Sequence, residues 1–447
     1  MPPALPLVST TGTGSPETVD RPRSRLHHDP VADYDVAVVG SGVAGPALAV
    51  LLARQGLRVA LLEAHRDPTH YKRLCTHLLQ SSALPVLERL GLEDALEGAG
   101  AVRSTGSLWT RYGWVRDPAP LGRPPHGYNV RREVLDPLLR RQAGATPGVD
   151  LLLGSRVRGL LHDSAGRVAG VRVRRGEGVQ EVTASLVVGA DGRSSIVADR
   201  AGLEAQESPN ARFGYFAHYR GVEVADGHAT QFWHMPPDAA YTFPTDDGVT
   251  LVAAMPGKAR WQEFQADREG ALLGMFADLD AAPDLSRAER VSDIVGVRDY
   301  PSLTRRSITA PGVALVGDAA MVGDPLWGVG CGFALQSAAW LADAVGPALA
   351  GAAPSSARDR AVDAAARSYG RQHKRRLGPH QRALIDLSSG RDFNPVERLL
   401  FAGAARDPVV ADRVWAYGTR NAAPRVLTSP RLLARAVRAR RTSAAPA

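Results

Sequence analysis

Apolar and polar positions follow three rhythms along this chain. Residues 35–40 (DVAVVG) and 57–63 (LRVALLE) are short apolar runs. Between them Ala44, Leu48, Leu51 and Leu52 recur at helical spacing. A strand, a helix and a strand within about thirty residues predict two parallel strands joined by a crossover. Further on, 128–143 reads as a strand end entering a helix, and 148–175 as a strand followed by a hairpin that turns at 163–166. Residues 184–203 (ASLVVGADGRSSIVADRAGL) read as a buried strand, a sharp Ala-Asp-Gly turn and a helix. Aromatic and polar residues alternate in 213–224, 230–235 and 241–244, which predicts an antiparallel sheet with one covered face. The irregular stretch 102–130 predicts turns and short strands. Residues 259–290 predict helix, and so does the Arg- and Ala-rich chain beyond 355, as a cap or dimer element. The run at 313–316 stops at Gly317-Asp318, passes through a glycine-rich loop and resumes as a helix near Gly330.

The 447 residues are too many for one ordinary core and imply two or three domains. At 44% hydrophobic and 22% charged residues, the composition is that of a globular protein in water. No apolar run reaches the ~20 residues that span a bilayer, which excludes stable membrane insertion. The Pro-, Ser- and Thr-rich residues 1–33 predict a disordered tail, without the pattern of a secretory signal. The net charge of +8 comes from scattered arginines with no aromatic-interleaved stripe, so nucleic acid is not an expected partner. Cys75 and Cys331 lack metal-ligand spacing, and no metal site is expected. Two reduced thiols suit a cytoplasmic protein, monomeric or homodimeric.

The turn after the first strand holds Gly40, Gly42 and Gly45 in a G-x-G-x-x-G pattern. The first glycine permits the tight turn, the second lets a pyrophosphate approach the backbone, and the third lets helix and strand pack closely. The helix N-terminus offers free N–H groups to phosphates. Glu63, at the end of the second strand, is placed to accept hydrogen bonds from ribose hydroxyls. Together these features predict a dinucleotide site.

Three segments stand in order: GSGVAG with Glu63, GADGRSS at 189–195, and VALVGDAA followed by DPLWGVGCG. Together they resemble the FAD-dependent oxidoreductases of the aromatic-hydroxylase type (group A flavoprotein monooxygenases) and their geranylgeranyl reductase relatives. The resemblance covers residues 34–350. It implies an α/β fold: a Rossmann-type FAD-binding domain with a parallel sheet (34–105, 131–205, 296–355), interleaved with an antiparallel sheet substrate domain (106–130, 206–295). C-terminal helices follow at 356–447. It also implies FAD contacts from Gly40, Gly42, Val43, Ala44 and Gly45, from Glu63, Ala64 and Arg73, and from Val157, Asp191 and Gly192. Gly317 and Asp318 would hold the ribityl chain, and Pro325, Gly328, Gly330, Cys331 and Gly332 would lie against the flavin. Arg132 matches the arginine before the L-x-x-x-L helix, with Arg131 as runner-up. No second G-x-G-x-x-G follows, which fits NADH or NADPH as a transient electron donor.

Within this superfamily the local sequence pulls in two directions. YKRLCTHL (71–78) looks like the K-x-C-G segment of the reductases through Lys72 and Cys75, but Thr76 and His77 replace glycines. DPLWGVGCG resembles their D-P-L-T-G-x-G loop, with Trp327 in place of a small residue. Halogenases carry a W-x-W-x-I-P motif and a catalytic lysine. The comparable stretch here, AAYTFPTDDG (239–248), lacks both tryptophans. Monooxygenation needs a dry pocket so that activated oxygen is not lost as hydrogen peroxide. Reduction needs a carbon near the flavin and a proton donor opposite. Cys75, His77, His218, Tyr219, His234, Tyr241 and Trp327 are candidate groups at the chemistry. Phe216, Phe232, Trp233, Tyr241 and Phe243, with Trp109 and Trp327, suggest an apolar aromatic or polycyclic substrate, although alternation turns only about half of a strand's side chains inward. The expectation is a flavin monooxygenase of small-molecule tailoring type. A reductase or dehydrogenase is second; a halogenase or a flavin-binding protein without turnover comes after.

Overall fold

The structure is a computed structural model that describes residues 31–75, 77–117, 126–224, 230–351 and 353–441. The expected tail falls outside these residues up to position 30, as does Thr76. Residues 31–33 belong to the first strand, Val31–Val39, rather than to a tail. That strand runs parallel to Val59–Leu62 on one side and to Gly178–Gly189 on the other. Val149–Leu152 and Val313–Leu315 extend the parallel set outward. Because the five strands share a direction, their carboxyl ends lie on one edge. The turns at Gly40, Asp191 and Gly317-Asp318 therefore meet there, where α/β sheets bind ligands.

The crossover helix Ala44–Ala53 is shorter than the glycine-to-glycine span suggests, and every residue of it is buried. It packs between the sheet and the helix Gly330–Ala350, so it has no polar face. Gly178–Gly189 pairs in two ways within this one eight-stranded sheet. Its first half pairs antiparallel with Val168–Arg175, the second arm of the Ser155–His162 hairpin, and its second half joins the parallel set.

The second sheet has eight strands, centred on Gly214–Arg220, Thr250–Met255, Asp238–Pro244 and Thr230–Met235. Its pairings are antiparallel except one: Thr230–Met235 runs parallel to Gly106–Thr110. The period-2 alternation sorts its aromatics onto two faces. Phe216, Phe232, Tyr241 and Phe243 join one core with Trp415 and Phe401 of the C-terminal helices. Tyr215, Tyr219 and Trp233 join another, with Trp109 packed against it. That second face is covered by Trp261–Ala266 and Arg268–Gly274. The continuous helix expected over 259–290 is thus two short helices. Asp267 is extended between them and its side chain accepts from the Gly270 N–H, starting the second helix.

The chain crosses between the two sheets at Ala205–Ser208 and Ser302–Arg305, which pair antiparallel. The region beyond 355 folds as the long helix Ser356–Ser388, then Pro395–Ala404, Pro408–Gly418 and Pro430–Arg441. The long helix lies along Gly330–Ala350. The next two close over the aromatic face of the second sheet.

Candidate functional site

A cleft of two adjoining cavities runs along the carboxyl edge of the parallel sheet. One, of about 470 Å³, is walled by Gly40, Glu63, Ala64, Val157 and Asp191. The other, of about 150 Å³, is walled by Val43, Ala44, Gly317, Asp318, Pro325, Gly328, Gly330 and Cys331. Gly42, Lys72, Arg132 and Gly192 line both. Three residues expected at the cofactor stand elsewhere. A Cβ on Gly45 would lie 1.9 Å from the Gly40 carbonyl oxygen, so this glycine, which lines neither cavity, is needed for helix–strand packing. Gly332 faces Ser82 from inside its helix. Arg73 is exposed and pairs with Asp293 at 3.1 Å.

The two motif glycines differ in kind. Gly40 has φ of +100° and a Cβ there would sit 2.5 Å from the Ala190 carbonyl oxygen, so only glycine makes this turn. A Cβ on Gly42 would meet nothing nearer than Arg132 Nη2 at 3.9 Å. It faces open cleft, as the approach of a pyrophosphate requires. Glu63 is buried, and Ser41 donates to it from the backbone N–H (3.1 Å) and from Oγ (2.6 Å). Burial alone would raise its pKa. Hydrogen bonds from Ser41 and the His65 N–H outweigh that and hold the carboxylate below its usual range. Arg140 in turn donates from Nε to Ser41 Oγ at 2.9 Å. Ser41, Arg140 and the stacked His65 and His70 rings on this wall were not legible in the sequence, since they meet only across the fold.

Asp191 is pushed up by burial, and its Oδ1 is buried with no hydrogen-bond partner at the cleft wall. Arg132 sits buried between the two cavities and binds Asp136 from Nε at 2.6 Å. Arg131 instead pairs with Asp246 (Nε to Oδ2, 2.7 Å) and lines neither cavity. Asp318 forms an ion pair with Lys72 at 2.8 Å. Burial works against the Lys72 charge, but Asp318 opposite raises its pKa. An open glycine cradle, an unpartnered buried carboxylate oxygen and acids at Glu63 and Asp318 fit FAD laid along this cleft.

Beyond Pro325, a cavity of about 50 Å³ is lined by Leu74, Cys75, Phe216, Tyr241 and Tyr300. It shares Leu74, Cys75, Tyr300 and Pro325 with the inner half of the cleft. Cys75 Sγ lies 4.0 Å from Cys331 Sγ. The Cys331 contact holds the Cys75 thiol below its usual range against burial, with Arg132 nearby, and Cys331 is pushed up. Tyr241 is stacked on Phe243, 4.7 Å between ring centroids. His77 and His218 pack together, 5.1 Å between rings, and line none of these cavities. His77 Nδ1 accepts from the Arg132 N–H at 3.0 Å, and burial holds the ring neutral, as it does His218, pushed down to about 4. Tyr219 bonds Glu269 and, with Trp233 and Trp109, faces away from the cleft. His234 stands edge-on to Trp327, 5.7 Å between rings.

The loop that carries Trp327 is held from beneath. Asp324 Oδ1 accepts from the Leu326 N–H at 2.7 Å, and Asp324 Oδ2 accepts from Arg212 at 2.7 Å and Asn210 at 2.9 Å. Arg212 gave no sequence signal, because it lies more than a hundred residues from the loop it holds.

The fold and this cleft define a flavoprotein oxidoreductase. The profile of the family described as "FAD binding domain" matches residues 33–369, so the chain belongs to that family. Relatives of different activity are similar to it. A 1H-pyrrole-2-carbonyl-[peptidyl-carrier protein] brominase of Pseudoalteromonas luteoviolacea is 25% identical, over 71% of this chain and 78% of the relative. The 3-demethoxyubiquinol 3-hydroxylase of Escherichia coli is 27% identical, over 66% and 75%. Digeranylgeranylglycerophospholipid reductase 2 of Methanothermobacter thermautotrophicus is 30% identical, over 68% and 76%. Among solved structures, the flavin-dependent brominase Bmp2 superposes with a TM-score of 0.73 at 18% identity, covering 92% of this chain and all of that one, which is a likeness of fold. The chain is an FAD-dependent enzyme of the monooxygenase and oxidoreductase superfamily. No helix among the described residues is long and apolar enough to cross a membrane.

Proposed function

We propose that this protein is an FAD-dependent monooxygenase that hydroxylates or epoxidises an apolar, aromatic small molecule, drawing electrons from NADH or NADPH. The observation that carries this is the cavity beyond Pro325. It shares Leu74, Cys75, Tyr300 and Pro325 with the inner cleft and is lined by Phe216, Tyr241 and Met255, an apolar surface suited to keeping water from the inner cleft. FAD, when bound, supplies electrons to dioxygen. The chain's part is to hold and shield. Gly42 and Arg132 would face the pyrophosphate, Glu63 the ribose, and Asp318 the ribityl chain. The helix Gly330–Ala350 points its N-terminus at the inner cavity and would stabilise negative charge there. His77 and His218 stay neutral at physiological pH and would serve as hydrogen-bonding or packing groups rather than as acids. Two free cysteines fit work in the cytoplasm.

A reductase is the second reading, favoured by the Cys75 thiol on the wall shared by the two inner cavities and by the similarity to an archaeal reductase. Halogenation is disfavoured by where two of the three lysines stand. Lys72 is tied to Asp318 and Lys258 to Asp299, neither on the aromatic cavity. The deciding experiment gives the FAD-loaded enzyme NADPH, or NADH, with isotopically labelled dioxygen and a panel of aromatic compounds. Label in the product supports monooxygenation. A product that has gained hydrogen and no label moves the reductase reading ahead. A halide-dependent, halogenated product overturns both.

A further inference from the structure

A third cavity, of about 110 Å³, lies between the aromatic sheet face and the C-terminal helices. Its walls are largely apolar, with Leu108, Leu384, Leu400, Trp415 and Trp327 among them. Into this setting comes one arginine. Arg420 Nε and Nη2 are buried and have no hydrogen-bond partner, and Nη1 makes only a long contact of 3.4 Å to the Tyr417 carbonyl oxygen. A buried cation without a partner is costly, and native proteins seldom leave one so.

The two carboxylates on the same wall do not answer it. Glu397 is held by Arg391 at 2.7 Å and also closes the cap of its own helix. Asp386 is held by Arg391 as well. Among the described residues no ion pair reaches Arg420. Its backbone adds to the cost: φ is +66°, a left-handed conformation in a residue with a side chain. Strain and an unpaired charge at one residue, both facing a cavity, are what a binding site held in readiness looks like. The segment is also anchored on the flavin side, because Asn421 Nδ2 donates to Ser81 Oγ at 2.9 Å.

We infer that this cavity is the anchoring end of the substrate site and takes an aromatic acid, its carboxylate paired with the Arg420 guanidinium and its ring against Trp327 and Trp415. The fork of a guanidinium matches a carboxylate, and an apolar surround strengthens the pair. His380, stacked on Tyr417 at 5.4 Å, lines the same wall and stays neutral, so the arginine alone answers the anion's charge. At about 110 Å³ the cavity is smaller than the apolar cavity of about 150 Å³ that takes benzene, so it holds the carboxylate end of a one-ring acid and the rest extends toward Trp327. Trp327 lines this cavity, and its chain neighbours Pro325 and Gly328 line the inner cleft. The far end of the acid would therefore meet the reaction centre past Trp327. This inference rests on the monooxygenase reading for its chemistry but not for its binding.

The test uses the FAD-loaded full chain with 4-methylbenzoate and its neutral counterpart, 4-methylbenzamide, followed by calorimetry and by tryptophan fluorescence. The acid should bind at least tenfold tighter than the amide. Arg420→Met should abolish that preference, and Arg420→Lys should keep part of it. Arg420→Met should also melt no lower than the parent, because it removes a buried charge that nothing pairs. Equal binding of acid and amide, binding of neither, an acid preference that survives Arg420→Met, or a large fall in melting temperature would each overturn the anchor. Acid binding without labelled product would sink the monooxygenase reading and leave the anchor standing. Oxygenation of neutral aromatics with no acid preference would do the reverse.

Discussion

Arg212 and Asp324 form an ion pair of 2.7 Å in which each side chain is only 2% exposed. It ties the second sheet to the loop that bears Pro325 and Trp327, and Asp324 also caps that loop at the Leu326 N–H. Asp324→Leu leaves the Arg212 cation buried and should cost roughly 3–5 kcal/mol of stability. The double variant Arg212→Leu with Asp324→Leu should recover much of this, since neither charge then remains. It should still bind FAD more weakly, because the cap is gone. Denaturant unfolding of the two variants checks the prediction; a single variant within about 1 kcal/mol of the parent would refute the buried-charge account.

Gly42 and Gly45 should separate folding from cofactor binding. Gly42→Val adds atoms to open cleft, so the apo chain should melt close to the parent. FAD affinity should fall by tenfold or more, about 1.4 kcal/mol, in a fluorescence titration. Gly45→Ala forces a Cβ to within 1.9 Å of a carbonyl oxygen and should lower the melting temperature sharply. The opposite pattern would remove Gly42 from the cofactor site.

Three buried histidines should make the protein acid-sensitive. Burial pushes His234 and His380 down to about 3 and His373 to about 4. In the unfolded chain each returns to about 6.5. Below that value the unfolded state takes up protons that the folded state refuses, so stability falls as pH drops. Each ring contributes about 1.4 kcal/mol per pH unit until its folded value is reached. Melting temperature should be level from pH 8 to 7 and fall steeply from 6.5 to 4.5. A flat profile down to pH 5 would show that these rings reach solvent.

The two cysteines should react unequally. Cys75 is half-buried and its thiol is held low by Cys331 and Arg132, whereas Cys331 is buried and pushed up. Iodoacetamide at pH 6.5 should therefore modify Cys75 first, and bound FAD, which shares that wall, should protect it. Mass spectrometry of the labelled peptides decides; modification of Cys331 first would reverse the assignment.

The parallel sheet and its ligand edge were legible along the chain, because both are local. Gly40, Glu63, Asp191 and Asp318 each follow an apolar run, and strands of one direction must bring such turns together. Alternation in the second sheet showed that half of its aromatics would turn away, but not that Trp233 and Trp109 would be among them. That depends on register, where a slip of one residue exchanges the faces. Arg212 beneath the Trp327 loop, Ser41 and Arg140 behind Glu63, and Arg420 in the third cavity left no mark in the sequence, because their partners or walls are supplied by distant segments. Periodicity and turn chemistry act over a few residues and determined where the strands end and what the cleft could hold. Which charges are buried, which are paired and which one is left waiting follows from long-range packing, and only the tertiary structure decided it.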